Sequence, residues 1–308
     1  MWRHYLVLIA VVCLMFVCPG QTLQADQKQV LTVGSKIDTE GALLGQMIIL
    51  MLEDNGLAVK DKTEFGPTPI VRKAIMAGEI DIYPEYTGNG AFFFSGQDAG
   101  IWKNRDQAYD RVKTLDYKQN KLVWLTPAPA DNTWALAVRE AFAREHNLTT
   151  LGDLARYVNE GGTIKLAACE EFVTREDALP AFEKAYDFSL PDSEMIVFSG
   201  CNTAQTEKAA ARGTSGVNAA MAFGTDGALA ALGLRVLEDE KGVQPVYAPT
   251  PVVREEVFET YPQIEDILAP VFKALTQKTL QDLNSRIAIG GQNPRNVATE
   301  FLQENGFL

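Results

Sequence analysis

The chain has 308 residues, of which 46% are hydrophobic and 22% charged, and its formal net charge is −12. This composition is that of an ordinary globular protein, and the length exceeds what one hydrophobic core usually supports, so two lobes are expected. The excess of acidic residues argues against nucleic acid as a partner, because phosphate backbones are bound by basic patches.

The N-terminus has the order of a secretory signal peptide. A short basic start precedes an apolar run over Leu6–Cys18, and a polar stretch then ends at Ala25. The apolar run is shorter than the roughly 20 residues that a membrane-spanning helix needs. We therefore predict a signal peptide over residues 1–25 and a periplasmic protein. Lipid anchoring at Cys13 or Cys18 is the second interpretation, because valine precedes each cysteine where a lipoprotein signal needs a small residue.

Cysteine and histidine are scarce after the predicted signal peptide. Cys169 and Cys201 remain, and an even pair in an exported protein predicts one disulfide bond, with two buried free thiols as the alternative. Histidine remains at His146, in a polar stretch, which argues against histidine-dependent nucleophilic triads and multi-histidine metal sites. We therefore expect no cofactor and no metal.

The first predicted unit is a buried strand over Val30–Val33, followed by a turn over Gly34–Lys36. Asp38 or Thr39 can cap the helix that follows, and Asn55 with the next glycine can end it. The helix carries its apolar residues on one face, namely Leu44, Met47, Ile48 and Met51.

The next elements continue this alternation. A helix from about Pro69 to Ala77 leads into a strand over Glu79–Tyr83, and a helix over about Arg105–Gln119 precedes a strand over Leu122–Leu125. The segment Thr126–Asp131 contains consecutive X-Pro steps, which keep a chain extended. We expect the chain to cross from one lobe to the other there.

A second block of strands and helices lies between Trp134 and about Arg235. Its strands are predicted near Ala135–Val138, Ile164–Ala168, Met195–Phe198 and Ala219–Phe223. A second Pro-rich extended segment, Val243–Pro251, follows, and the remaining chain is mostly helical. Two extended crossings around an inserted block predict an α/β protein with a ligand cleft between two lobes. We assign residues 26–131 with 245–308 to one lobe and 132–244 to the other.

Polar side chains that follow predicted strands are candidates for ligand binding, because open α/β sheets bind ligands at strand ends. Lys36 follows the first strand, with an ordinary surface lysine as the alternative. Tyr86 and Asn89 lie in a stretch rich in hydrogen-bonding groups after the Glu79–Tyr83 strand, with aromatic packing as the alternative.

Arg175 lies in an acidic stretch and is predicted to start a helix, where a guanidinium can clamp a carboxylate. The alternative is a surface salt bridge to Glu171 or Asp177. These two residues, with Glu170 and Glu176, could also serve an enzyme as paired carboxylates. The single histidine, the export signal and the lack of a nucleophile-elbow or phosphate-loop motif favour a transport protein that is not an enzyme.

Several segments resemble the osmoprotectant-binding proteins of ABC transporters, which bind glycine betaine, choline, carnitine and related quaternary ammonium compounds. The segments are Val33–Lys36, Ala77–Gly88, Asn132–Val138 and Tyr247–Arg254, and the resemblance extends over Val30–Leu308. It implies a two-lobed periplasmic binding protein fold of type II with two crossovers. It also implies a quaternary ammonium ligand, a membrane permease as the partner, and a monomer.

The resemblance also implies residue roles. An aromatic box for the trimethylammonium group would consist of Tyr86, Trp134, Phe223 and Tyr247. The ligand carboxylate would be bound by Lys36, Asn89 and Arg175. Many family members carry threonine at the position of Asn89 and tyrosine at the position of Phe223. Asn89 can still donate a hydrogen bond, whereas Phe223 keeps the ring face and lacks the hydroxyl.

A binding protein of the same fold for another solute is the main alternative. An amino-acid site would need hydrogen-bond acceptors for ammonium N–H groups, whereas the implied box offers mainly ring faces. A polyamine site would need acidic residues at both ends of the cleft and would have little use for Arg175. A quaternary ammonium has no N–H and a diffuse charge, which suits aromatic faces.

Overall fold

The computed structural model describes residues 30–229 and 231–308. The predicted signal peptide, residues 1–25, lies outside the described residues. Within them, no helix combines the length and the apolar character needed to cross a membrane.

The structure consists of two mixed sheets covered by helices. The strands are β1 (Leu31–Lys36), β2 (Val59–Gly66), β3 (Ile82–Tyr86), β4 (Leu122–Trp124), β5 (Trp134–Arg139), β6 (Leu166–Cys169), β7 (Met195–Phe198), β8 (Ala219–Phe223), β9 (Leu234–Val236) and β10 (Pro249–Arg254). The helices are α1 (Thr39–Asp54), α2 (Thr68–Met76), α3 (Gly90–Phe93), α4 (Ala99–Trp102), α5 (Arg105–Asn120), α6 (Glu140–Glu145), α7 (Leu151–Asn159), α8 (Glu170–Thr174), α9 (Leu179–Tyr186), α10 (Thr203–Arg212), α11 (Glu255–Thr260), α12 (Ile264–Ala274), α13 (Gln277–Ala288) and α14 (Pro294–Glu304).

The two sheets share one topology. The first has the order β2-β1-β3-β10-β4, and the second has the order β7-β6-β8-β5-β9. In each sheet the first three strands run parallel and the fourth runs antiparallel to its neighbours. The predicted α/β architecture with two crossovers is therefore confirmed.

The two crossings between the sheets run side by side. One joins β4 to β5 and the other joins β9 to β10. The amide of Asn132 donates to the carbonyl of Tyr247 at 2.9 Å, and the amide of Ala128 donates to the carbonyl of Pro249 at 2.7 Å. The Tyr247 amide donates in turn to the Asp131 carboxylate at 2.8 Å. These hydrogen bonds hold the crossings together as one extended ribbon.

The first unit is confirmed, with one correction. Asp38 caps α1 by accepting from the Gly41 amide at 2.7 Å, and Asn55 is the C-cap residue, as predicted. The turn expected over Gly34–Lys36 instead belongs to β1. The reason is that β2 pairs with β1 as far as Lys36. This pairing was not predicted, because the charged and half-exposed residues of β2 have no strand pattern.

Prolines lie inside two strands, which corrects two predictions. The strand predicted at Glu79–Tyr83 is β3, which begins at Ile82 and contains Pro84. The end of the predicted second crossing belongs to β10. Pro251 is opposite Pro84 in the ladder, and its carbonyl accepts from the Leu125 amide at 3.0 Å. Each proline removes one N–H without ending the strand.

Candidate ligand-binding site between the two sheets

A small cavity lies where both sheets end. Its lining combines residues of the first sheet region, Lys36, Ile37, Asp38, Pro67, Thr68, Tyr86 and Asn89, with residues of the crossings and the second sheet region, Asn132, Trp134, Glu171, Cys201, Phe223 and Tyr247. The volume is about 30 Å³, which is room for about two water molecules. Lys36, Tyr86 and Phe223 are the last residues of β1, β3 and β8, the position expected for a ligand site in α/β sheets.

Three of the predicted aromatic residues pack together on one side of the cavity. Trp134 begins β5 and is opposite Phe223 in the ladder with β8, and their ring centroids are 4.7 Å apart. Tyr247 approaches Trp134 edge-on, with centroids 6.5 Å apart at an interplanar angle of 85°. A side chain at Gly88 would meet the Tyr247 ring at 2.8 Å, so the glycine leaves room for this ring.

Two polar atoms of this aromatic group are buried without partners. Trp134 Nε1 and the Tyr247 hydroxyl have no hydrogen-bond partner among residues 30–229 and 231–308. Burial raises the pKa of Tyr247, so its hydroxyl keeps its proton near neutral pH. Buried polar atoms are normally paired, so both groups can donate to a ligand or to water in the cavity.

Lys36 is buried, which excludes the surface alternative. Its Nζ lies 2.6 Å from Glu85 Oε1 and 4.5 Å from the centroid of the Tyr86 ring. Glu85 is fully buried and also accepts from Asn89 Nδ2 at 2.7 Å, from the Tyr83 hydroxyl and from the Tyr86 amide. Lys36 therefore contacts the Tyr86 ring of the predicted aromatic box, and the Glu85 carboxylate neutralises its charge.

Arg175 does not start a helix, contrary to the prediction. It follows α8 with an extended backbone (φ −74°, ψ 132°), because Cys169 caps that helix five residues earlier than expected. The Arg175 guanidinium is 5% exposed and forms a two-pronged ion pair with Asp177 at 2.9 and 2.6 Å. It also contacts Glu171 at 2.8 Å. The salt-bridge alternative is therefore observed, but as a buried ion pair.

Asn89 joins the two cations into one network. Its Nδ2 donates to Glu85, the partner of Lys36, and its Oδ1 accepts from Arg175 Nη1 at 2.9 Å. Because Asn89 follows β3 and Arg175 follows β6, this contact connects the first sheet region with the second. The structure thus brings the predicted polar residues together around buried carboxylates.

Several residues line the cavity without having been predicted as ligand-binding residues, among them Asp38, Asn132 and Glu171. Asp38 was identified as a helix cap, and burial raises the pKa of its carboxyl while Lys36 opposes that shift. The sequence marks Asn132 only by its place two residues before Trp134. Its Oδ1 is buried without a partner among the described residues. Glu171 was predicted as a possible salt-bridge partner of Arg175, and the two side chains form that ion pair.

The predicted disulfide bond between Cys169 and Cys201 is present, which excludes two free thiols. Cys169 Sγ also accepts from the Phe172 amide at the start of α8, and Cys201 lines the cavity. The bond therefore fastens the segment that carries Glu171 and Arg175 to the loop after β7.

Comparison with known proteins agrees with the geometry. Residues 29–304 match the OpuAC family, described as the substrate binding domain of ABC-type glycine betaine transport system. The chain is 55% identical over 307 residues to the glycine betaine-binding protein YehZ of Escherichia coli, covering 100% of this chain and 98% of that protein. It is 33% identical over 294 residues to a glycine-betaine-binding protein of Pseudomonas aeruginosa, covering 92% and 90% of the two chains.

A solved structure supports the fold over the same range. The structure of apo YehZ from Escherichia coli is 57% identical in sequence, with a TM-score of 0.67, and the match covers 91% of this chain and 100% of that chain. The family match spans nearly the whole described chain, and the resemblance inferred from the motifs is confirmed. This chain belongs to the family of substrate-binding domains of ABC-type glycine betaine transport systems.

Proposed function

We propose that this chain is a periplasmic receptor that binds glycine betaine or a related quaternary ammonium compound and delivers it to the permease of an ABC importer. The observation that carries the proposal is the convergence of Tyr86, Trp134, Phe223 and Tyr247 on one buried cavity in a member of this family. The ligand is released unchanged, because the role of the family is substrate binding in transport.

The aromatic residues suit a trimethylammonium group. Such a group cannot donate hydrogen bonds, and ring faces attract its diffuse charge by roughly 0.5–2 kcal/mol each. Trp134 offers the strongest face and is held in place by Phe223 and Phe172, whose ring centroids lie 4.7 and 5.2 Å from its own. The carboxyl groups of Asp38 and Glu171 also line the cavity, where Glu171 is already paired with Arg175.

The ligand carboxylate would share donors that already have partners. Arg175 directs four N–H contacts to Asp177, Glu171 and Asn89, out of the five N–H groups that a guanidinium carries. Lys36 directs one contact to Glu85, out of three N–H groups. We therefore assign the carboxylate to the remaining donors of Lys36, Asn89 and Arg175.

Ligand entry would require the two lobes to separate. We assign residues 26–131 with 245–308 to one lobe and residues 132–244 to the other, with the paired crossings as the hinge. A cavity of about 30 Å³ does not admit a ligand the size of glycine betaine without widening. Hinge motion between lobes is the usual response of this architecture, and we expect the receptor to act as a monomer.

A thermal-shift panel on the purified protein tests this function. Glycine betaine, choline and carnitine should raise the melting temperature, because ligands that bind the folded state stabilise it. A matched control is 3,3-dimethylbutanoate, which has the shape of glycine betaine without the positive charge and should have little effect. Stabilisation by an amino acid or a polyamine, with none by glycine betaine, would contradict the proposal.

A further inference from the structure

The buried carboxyl group of Glu40 accepts hydrogen bonds from Tyr86, which lines the cavity, and from Asn284, which does not. Glu40 lies in the first turn of α1, is 4% exposed, and was not predicted as a site residue. Its Oε1 accepts from the hydroxyl of Tyr86 at 3.0 Å. Its Oε2 accepts from Nδ2 of Asn284 at 2.7 Å, across a sequence separation of 244 residues.

Asn284 extends this connection to the second sheet region. Its Nδ2 also donates to the carbonyl of Thr225 at 3.2 Å, and Thr225 lies two residues after Phe223. Asn284 is on α13, the helix whose Gln277 and Gln281 donate to the neighbouring Gly224 carbonyl at 2.6 and 3.1 Å. A chain of hydrogen bonds therefore connects Tyr86, through the Glu40 carboxylate and Asn284, to the loop that follows Phe223.

We propose that Glu40 is a positioning residue of the ligand site, whose negative charge holds Tyr86 and the Thr225 loop in place and strengthens the binding of a quaternary ammonium group. The inference rests on the proposed function, because it concerns the affinity of the same cavity. Ionised Glu40 accepts from two donors at once, and it increases the electron density of the Tyr86 ring through the hydroxyl. Protonated Glu40 loses the charge and one accepting oxygen.

The charge of Glu40 is poised to change near neutral pH. Burial raises its pKa from 4.5 to about 7, although the hydrogen bonds from Asn284 and Tyr86 favour the ionised form. Its place in the first turn of a helix also favours ionisation. The affinity for a cationic group should therefore increase as the pH rises through about 7.

Other titratable groups face the same region and must be separated from Glu40. Asp38 lies two residues before it and raises its pKa, and burial raises the pKa of Asp38 itself. Asp226, in the loop beside Thr225, and Glu207, with which it interacts, both have a pKa raised by burial. Lys36 on β1 and Glu171 on α8 are further charged groups of the cavity wall. The effect of Glu40 is therefore the difference between the wild type and a variant at this residue alone.

The decisive experiment is calorimetric titration of glycine betaine and choline from about pH 6 to about pH 8. The affinity of the wild type for both ligands should increase by roughly fivefold or more over this range. Glu40→Gln, which keeps the size of the side chain, should bind weakly with a much flatter pH profile. Glu53→Gln is the matched control, because it removes a carboxylate from the same helix. Glu53 does not line the cavity, and its carboxylate lies 2.6 Å from the guanidinium of Arg295.

A second variant tests the connection through Asn284. Asn284→Ala removes a donor to the Glu40 carboxylate, so the pKa of Glu40 should increase further. The pH at which the affinity increases should then move upward relative to the wild type. An unchanged midpoint would overturn the assignment of Asn284 to this chain of hydrogen bonds.

Stability gives a readout that needs no ligand. The folded carboxyl has a higher pKa than the ordinary value of 4.5, so the folded state holds the proton more tightly between 4.5 and about 7. The contribution of Glu40 to stability therefore falls as the pH rises through this window. The melting temperature of the wild type should fall relative to that of Glu40→Gln over the same range.

The outcomes separate this inference from the proposed function. If the wild type binds glycine betaine and Glu40→Gln follows the same pH profile with the same affinity, the role of Glu40 is overturned while the function stands. If the wild type does not bind any quaternary ammonium compound, the proposed function is overturned as well.

Discussion

The aromatic end of the ligand site consists of Trp134, Phe223 and Tyr247, whose rings pack against one another and line the cavity. The polar end of the site consists of Lys36, which lines the cavity, and Arg175, which does not, and both are buried in contact with carboxylates of the protein itself. The two ends meet at Arg175, whose guanidinium carbon lies 5.9 Å from the Trp134 ring centroid. Both ends were predicted as ligand-binding, but the physical cost of building them differs.

The difference follows from what burial demands of each group. A ring face needs no partner and can stay available to a ligand, whereas a buried cation is costly unless a carboxylate neutralises it. The charges of Lys36 and Arg175 are therefore neutralised by carboxylates of the protein before a ligand binds. The aromatic end should therefore contribute more of the binding affinity, and the polar end should mainly discriminate between ligands.

The disulfide bond should have the largest effect, and it acts on the polar end. Replacing Cys169 and Cys201 together with serine removes a bond between residues 32 positions apart, which should lower the free energy of unfolding by roughly 3–4 kcal/mol. The bond anchors the segment that carries Arg175, so the preference for glycine betaine over choline should also weaken. Urea unfolding and titration of both ligands measure these two effects, and unchanged stability would contradict the first.

Trp134→Ala tests the aromatic end. The substitution removes a cation–π face and buried apolar surface, so every trimethylammonium ligand should bind roughly 30-fold more weakly. Trp134→Phe is the matched variant, because it keeps a smaller ring and should lose less. Calorimetric titration of glycine betaine and choline gives both values. Equal affinities for the wild type and Trp134→Ala would contradict the role of the aromatic end.

Arg175→Ala tests the polar end and should have the smaller effect. Its removal leaves Glu171 and Asp177 unneutralised, which disfavours a ligand carboxylate but not choline. The affinity for glycine betaine relative to choline should therefore fall by about tenfold, the loss of one hydrogen bond to a charged group. Arg235→Ala is the control, because Arg235 on β9 pairs with Glu140 at the start of α6, and neither residue lines the cavity. Equal losses for both ligands would show that Arg175 does not discriminate between them.

Local patterns of the sequence predicted much of this structure. The cap at Asp38 and the apolar face of α1 predicted that helix almost to the residue. Six of the seven predicted site residues line the cavity, and Arg175 does not, whereas their roles in ligand binding stay a prediction. The pattern did not predict β2, because a polar edge strand lacks apolar alternation.

The sequence offered Glu171 and Asp177 as partners of Arg175, but the partners of Lys36 and Glu40 could not be predicted from it. Glu85 lies in a strand whose role depends on the whole sheet, and its contact with Lys36 arises only when β1 and β3 pair. Glu40 has the pattern of an ordinary acidic residue in a first helical turn. Its partner Asn284 is brought to it by the packing of α13 against α1, which no local pattern encodes.

The position of the ligand in a crystal structure of the glycine betaine complex tests the central claim most directly. We predict that the trimethylammonium nitrogen lies within about 6 Å of the ring centroids of Trp134, Phe223 and Tyr247. The carboxylate should point towards Lys36, Asn89 and Arg175. A ligand bound outside this cavity, or with its carboxylate against the rings and its ammonium group at Arg175, would contradict the account.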